Sequence, residues 1–356
     1  MKFKYSVILA MLLLAVLAVG SVSATEDIAI DDTSDIDVDI DDVSDVDLEI
    51  DDTSDIPDEN LRTTYTEMTI TTSSNFTDIN NKISDGTYSG YQFNFVNDTY
   101  TDFAMVTGTN NKFVGNGATL VGSTDNLFTI TGSSGIVITG FNMNINNSTK
   151  AAIYGSGVEN VEITNNVIYG GKDGINIFQT YENVTITGNT ISDVTRDAIS
   201  LVNHKNFTDA QWNAWSSSIV SNNIITGGEY GMFFGGNFKG TINSNRITGS
   251  DCGMQFAGKK NATNGRLNAT ISSNTIKNVL TGIDMNHPCV IYLYIIDNDI
   301  RTVNRTANYA INNNSYFAKA TNGNITIVEN TLRGLIKNSF INQTNFSNNN
   351  GYIIEY

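Results

Sequence analysis

The stretch VTITGNTISDVTRDAISL, residues 184–201, is written repeatedly along this chain with its spacing kept and its residues varied. VEITNNVIYGGKDGINIF at 161–178, GTINSNRITGSDCGMQF at 240–256 and ATISSNTIKNVLTGIDM at 269–285 follow the same plan. Each has apolar residues two apart, an Asn, another apolar residue two further on, a turn, and a small residue opening a second alternating run. Alternation of period two marks short strands with one buried face. No part of the repeat is long enough for the helix of a βαβ crossover. Thirty Gly against two Pro fit many strands joined by tight turns.

Aligned on its Asn, the repeat gives Asn166, Asn189, Asn223, Asn245, Asn274, Asn298 and Asn330. Intervals are about 22 to 24 residues in plain units and reach about 30 or more where a turn carries an insertion. Strands this short cannot form a sheet within one unit. Stacking solves the problem, because each strand can pair in parallel with its equivalent about 4.8 Å along an axis. Inward Ile, Val and Phe then make one continuous core. The expected fold is all-β, a single-stranded right-handed parallel β-helix of roughly ten coils. The Asn is expected at a corner, tolerating a left-handed backbone and bonding its amide to the Asn of the next coil. A β-propeller, with four antiparallel strands in about 40 residues per blade, fits less well. SSNFTDINNKIS at 73–84 puts Phe76, Ile79 and Ile83 on one helical face, which predicts a short N-terminal capping helix.

Before the repeat the chain changes character twice. Lys2 and Lys4 precede the apolar run Val7–Val19, and Val22-Ser23-Ala24 offers small residues for cleavage, so residues 1–24 read as a signal peptide. Residues 25–60 read as an acidic disordered spacer: positions 26–59 hold seventeen of the 37 acidic residues and no Lys or Arg. The other 20 acids equal the 20 basic residues, so the net charge of −17 belongs to the spacer and the body, 61–356, is nearly neutral. With no basic patch, a nucleic-acid partner is not expected. Asp-x-Asp spacing could attract calcium weakly, but the spacer has no Gly to build a cage, and no other cofactor is expected. The export signal implies a secreted or surface-located protein without a transmembrane domain after cleavage, expected to be a monomer.

The motifs F-T-D-I-N-N-K-I and N-G-A-T-L-V-G, followed by V-x-I-T-x-N-x-I coils rich in Asn and Thr, resemble the adhesin-like surface proteins of methanogenic archaea. More broadly, residues 70–350 are similar to the pectate-lyase-like β-helix superfamily. The first resemblance implies attachment to glycans or other cells. The second implies, as the alternative, a polysaccharide lyase or glycoside hydrolase. Relatives that hydrolyse pectin carry paired Asp on outward strand positions, with Gly-His-Gly and Arg-x-Lys motifs. Here the outward column reads Asn176, Ser200, Phe233, Gln255 and Asp284, with one acid, and Gly-His-Gly does not occur. That weighs against an enzyme.

The longer insertions, 202–217, 257–268, 286–293 and 312–323, fall in the same turn of the repeat and so predict one loop-bearing, ligand-facing flank. The first holds both Trp residues. Thr208-x-x-Gln211 is a capping box, so a short helix there would carry Trp212 and Trp215. Their faces, with Phe207 and His204, could stack on sugar rings, or they could pin the helix to the wall. For an enzyme the candidates are Asp173 with Arg196 and Asp197 at equivalent positions of adjacent coils, and Asp284 with His287. A charge ladder accounts for the first group equally well. Two His residues without clustered Cys make a zinc site improbable. Cys252 and Cys289 fall near opposite ends of neighbouring strands, which argues against a disulfide. Roughly a dozen Asn-x-Ser/Thr sequons include Asn206 and Asn261 in insertions, where glycosylation is expected.

Overall fold

A computed structural model describes residues 64–122, 124–146, 149–258, 265–286, 290–313, 324–337 and 345–355. The signal peptide and acidic spacer lie outside the described residues, as do Asn261, His287 and Cys289. Every described strand pairing is parallel, in one 21-stranded and one 10-stranded sheet. The architecture is a β-helix of about ten coils, as the repeat predicts. Each coil contributes to three columns. Column one holds the strand before the Asn, such as Ser218–Ser221. Column two holds the short strand after it, such as Ile224–Thr226. Column three holds the strand after the small residue, such as Tyr230–Gly236. Columns one and three share the larger sheet, because Ala151–Thr164 and Asp173–Thr187 run through the turn between them. Among the described residues no helix is long and apolar enough to cross a membrane.

Register stacks like on like. Ile168, Ile191, Ile225, Ile247, Ile276, Ile300 and Leu332 follow one another in column two, all fully buried. Such a column explains the small residue that opens each column-three strand. A Cβ on Gly282 would lie 2.3 Å from Ile300 Cγ2 and 2.4 Å from the Ala310 carbonyl oxygen. The Ile side chain and the neighbouring carbonyl fill that space, so only Gly fits at 282, while other coils place Ala152, Ala198 or Ala310 at the equivalent position.

The Asn residues form a buried ladder. Asn166 Nδ2 donates to Asn189 Oδ1 at 3.1 Å, and the relay continues through Asn223, Asn245, Asn274, Asn298 and Asn330 at 2.9–3.0 Å. Each Oδ1 also accepts the backbone N–H of the preceding Asn, and each Nδ2 also donates to a carbonyl of the preceding coil. These bonds satisfy each amide fully, which is what makes it tolerable at near-zero exposure. The ladder runs one step further than the repeat suggests, to Asn349.

One expectation is corrected. The left-handed residue at this corner is not the ladder Asn but its predecessor: Asn165, Gly188, Asn222, Ser244, Ser273, Asp297 and Glu329, with φ between 55° and 70°. The bend precedes the ladder residue and leaves its own N–H aligned with the next amide.

Helix α1, Phe76–Ser84, closes the N-terminal end as expected, capped by Asn75, whose side chain accepts from the Asp78 N–H. Ile79 and Ile83 enter the core, while Phe76 packs edge-on against Tyr100 and Phe103. Asn80 completes the cap. Its amide donates to the Ala104 carbonyl and accepts from the Val106 N–H, both at 3.1 Å, substituting for a missing strand at that edge.

Candidate functional site

Alternation along column three sorts its residues into two sets. Ile175, Ile177, Ile199, Leu201, Met232, Phe234, Met254 and Phe256 point inward and are buried. The outer face carries Asn176, Ser200, Phe233 and Gln255 in one in-register row, as read from the sequence. Phe178, Val202, Gly235 and Ala257 make a second row beside it. A hollow of about 390 Å³ opens over these residues, bounded by Arg196, Tyr230 and His204. Phe178 meets His204 edge-on at 5.7 Å, and Tyr230 meets Phe233 edge-on at 5.6 Å. Gly235 keeps the floor low between them, because a Cβ there would press on Phe233 and Val202 at 3.0–3.1 Å.

Next along the same face lies a hollow of about 460 Å³, lined by Lys150, Tyr154, Lys172 and Asp173, and sharing Asn176, Phe178 and Arg196 with the first. A third hollow, of about 620 Å³, lies over Val106, Thr129 and Thr131, against the end of α1 and Tyr88.

At the junction of the first two hollows sits a charged cluster. Arg196 donates to Asp173 through Nε at 3.0 Å and Nη2 at 2.8 Å, and its Nε lies 3.1 Å from Asp197 Oδ2. Asn176 Nδ2 donates to Asp173 Oδ2 at 2.9 Å, and the Asp197 N–H donates to Asp173 Oδ1 at 3.3 Å. The two carboxylates are buried, at 3 % and 4 % exposure, so this is not the solvated ladder that the sequence allowed. Burial, and then the nearby Asp173 charge, push the Asp197 carboxyl up to about 6 against the opposing pull of Arg196. Such a group can hold a proton near neutral pH. Both oxygens of Asp173, by contrast, are committed to Arg196 and Asn176.

The insertion at 202–217 folds as the capping box predicts, into α2, Asp209–Ala214, with Thr208 and Gln211 bonded reciprocally. Its aromatic residues are buried. Trp212 and Trp215 are 4 % exposed and Phe207 6 %. Their rings pack together, with Phe207–Trp215 centroids 5.0 Å apart and Trp212–Trp215 5.3 Å apart. Trp215 Nε1 donates to the Tyr181 carbonyl at 3.0 Å. Lys239 Nζ donates to the Trp215 carbonyl at 2.7 Å, and Arg266 lies over the Trp212 ring. Burial this deep favours the second of the two roles the sequence left open, pinning the helix to the wall. The reason is physical: a six-residue helix has little intrinsic stability and needs its apolar residues as an anchor.

Of the ligand-facing candidates, His204 reaches the hollow of the strand face, while Phe207 and Trp215 border a separate hollow of about 280 Å³ beside Tyr181 and Lys205. Asp173, Arg196 and Asp197 come together, as their equivalent positions predict. Asp284 lies on the same outer row but beyond the hollow, accepting from Gln255 and Asn312 at 2.8 Å each. Cys252 is free and buried. Its Sγ lies 3.4 Å from the Met254 carbonyl, and burial pushes its thiol well up. Phe178 and Tyr230 were missed by sequence reasoning, although alternation from Asn176 marks Phe178 as outward.

Residues 96–276 match the family described as the right handed beta helix region. The chain belongs to that family. Right-handed coiling, inferred from chain chirality, is therefore shared with other members of the β-helix family. The match takes in every residue that lines the first two hollows. No curated protein and no solved structure gives a significant match.

Proposed function

We propose that this chain is an exported surface protein that binds glycans along the outer face of column three, with an adhesin-like attachment role. The observation that carries this reading is the succession of three hollows on one face. They lie over consecutive rungs from Val106 to Ala257, so the trough is about 29 Å long at the usual strand spacing. Each hollow has the size of a small-molecule pocket. The aromatic pairs Phe178/His204 and Tyr230/Phe233 supply apolar faces, and Asn176, Ser200 and Arg196 supply polar groups between them. That mixture suits sugars, which offer apolar ring faces edged by hydroxyls. Glycans on Asn206 and Asn261 belong to the same reading of an exported protein.

A second reading, a glycoside hydrolase or lyase, is favoured by one observation: the Asp197 carboxyl, raised to about 6, stands beside Asp173 under the trough. A glycan array combined with an assay for reducing or unsaturated ends separates the two. Binding without turnover, lost in Phe178→Ala/Phe233→Ala, is the expected outcome. Turnover abolished by Asp197→Asn would establish the enzyme instead, and undiminished binding by the double variant would overturn the proposed site.

A further inference from the structure

An Asn-x-Ser/Thr motif is an acceptor only where a transferase can reach both the Asn amide and the hydroxyl two residues on, which calls for an exposed loop. The fold sorts the sequons by that demand. Asn183, Asn268, Asn324 and Asn345 lie within strands, Asp173–Thr187, Leu267–Ser272, Asn324–Val328 and Asn345–Ser347, whose backbones are held in the parallel ladders. Asn183 is further committed, because its Nδ2 donates to Asn160 Oδ1 at 2.7 Å. Asn75 caps α1, and its Thr77 is already inside the helix. Asn97 is exposed, but its Thr99 is in the first strand of column two, paired with Thr119.

Two sequons remain in irregular segments, and they differ. Asn206 is exposed, yet Phe207 beside it is buried and the Thr208 hydroxyl is taken up by the capping box with Gln211. Reaching that sequon means lifting α2 from the wall. Asn304-Arg305-Thr306 stands in the turn between Asp299–Thr302 and Tyr309–Asn313, where residues 303–307 are all exposed. The Asn304 N–H donates to Asn308 Oδ1 at 3.0 Å, and its carbonyl accepts from the Ala307 and Asn308 N–H groups. Its Oδ1 accepts from the Thr306 N–H at 3.0 Å and the Thr306 hydroxyl at 2.9 Å. Among the described residues nothing bonds to Nδ2, the atom that a glycan would join. The turn thus holds the Asn and Thr side chains together and leaves the nucleophile outward.

We propose that Asn304 is the glycosylation site presented by the folded chain, whereas Asn206 accepts a glycan only before α2 docks. In the transfer, Nδ2 attacks the anomeric carbon of a glycan carried on a lipid phosphate. The N–C bond forms, the C–O bond to phosphate breaks, the lipid phosphate leaves with the electron pair, and one Nδ2 proton passes to a base of the transferase. Every bond that holds the turn survives, since only an unengaged hydrogen is replaced. This rests on the export part of the reading above and adds to it a site and an order of events.

The test is glycopeptide mass spectrometry on two preparations of the full chain. One is recovered from the cells that export it. The other is folded, unglycosylated chain treated in vitro with a sequon-reading transferase and its lipid-linked glycan donor. A glycan on Asn304 is expected in both, with occupancy at Asn206 at least about tenfold lower in the second, because access there requires local opening. Thr306→Val should abolish modification of Asn304 and Thr306→Ser should retain it. Asn206 modified as readily as Asn304 on the folded chain would overturn the order of events. Glycans elsewhere on the exported chain, with Asn304 bare, overturn this site and leave the glycoprotein reading standing. An exported chain bare at every sequon overturns both.

Discussion

Two groups of aromatic residues lie within a few rungs of each other and have opposite fates. Phe207, Trp212 and Trp215, in the insertion, are buried against Tyr181 and beneath Lys239 and Arg266. Phe178, Tyr230 and Phe233, on the strands, stay partly open at the floor and wall of a hollow. The difference comes from what each segment needs. An insertion has no ladder of its own and must be anchored by its side chains. An outward strand residue is already fixed by the backbone ladder, so its side chain is available. Aromatic content in a loop is thus a poor guide to a binding surface here.

The largest expected contrast is in stability. Trp215→Ala should lower the unfolding free energy by about 3–5 kcal/mol, measured by denaturant titration, because it opens a cavity and removes one of the two bonds to the Tyr181 carbonyl, leaving that from Asn203. Phe178→Ala and Phe233→Ala should each stay within about 1 kcal/mol of the parent. A stable Trp215→Ala variant beside a collapsed Phe178→Ala variant would reverse the assignment.

A second contrast uses two Asn residues. Asn223→Leu strands two donors of Asn189, removes the amide bond to the Ile186 carbonyl and leaves Asn245 Oδ1 with the backbone N–H of residue 223 alone, and is expected to cost about 2–4 kcal/mol by the same measurement. Asn176→Ala, on the outer face, should cost about 1 kcal/mol or less. Similar costs for the two would mean that the amide relay is not a stabilising element.

The charged cluster makes stability depend on pH. The Asp197 carboxyl is raised above its ordinary value of 3.8 to about 6, so between those values the folded chain holds a proton that the unfolded chain has released. Stability should therefore fall as pH rises through that window, by on the order of 1–3 kcal/mol. Thermal unfolding between pH 4 and 7 should show the decline for the parent and a flatter profile for Asp197→Asn. The smallest effect concerns the clamp. Lys239→Ala should cost about 1 kcal/mol and shift Trp emission to the red, as α2 loosens from the wall. Unchanged emission would mean that the rings alone hold α2.

Much of this fold can be read from the residues because the same physical demand recurs in every coil. Ile225 and Ile247 must fill the same slot, and Asn223 and Asn245 must pass on the same bond, so their spacing survives substitutions elsewhere. The left-handed residue before each ladder Asn is less legible. Gly188, Asn222, Ser244 and Glu329 all serve, since the corner demands a backbone shape rather than a side-chain chemistry. Asn349 was hidden within Asn348-Asn349-Asn350, where spacing does not single it out. The site was legible only in part. Equivalent positions brought Asp173, Arg196 and Asp197 together, but their burial depends on how Arg196 folds over both acids. Each strand contributes only a few scattered residues to the trough, so Phe178 and Tyr230 make no motif of their own.

Hydrogen exchange of the full chain, with and without a saturating glycan from the array, tests most directly which aromatic group meets the ligand. The expected result is added protection at 176–178, 200–204 and 230–236, with none at 208–216. Protection confined to 208–216 would contradict it and return the binding surface to the insertion.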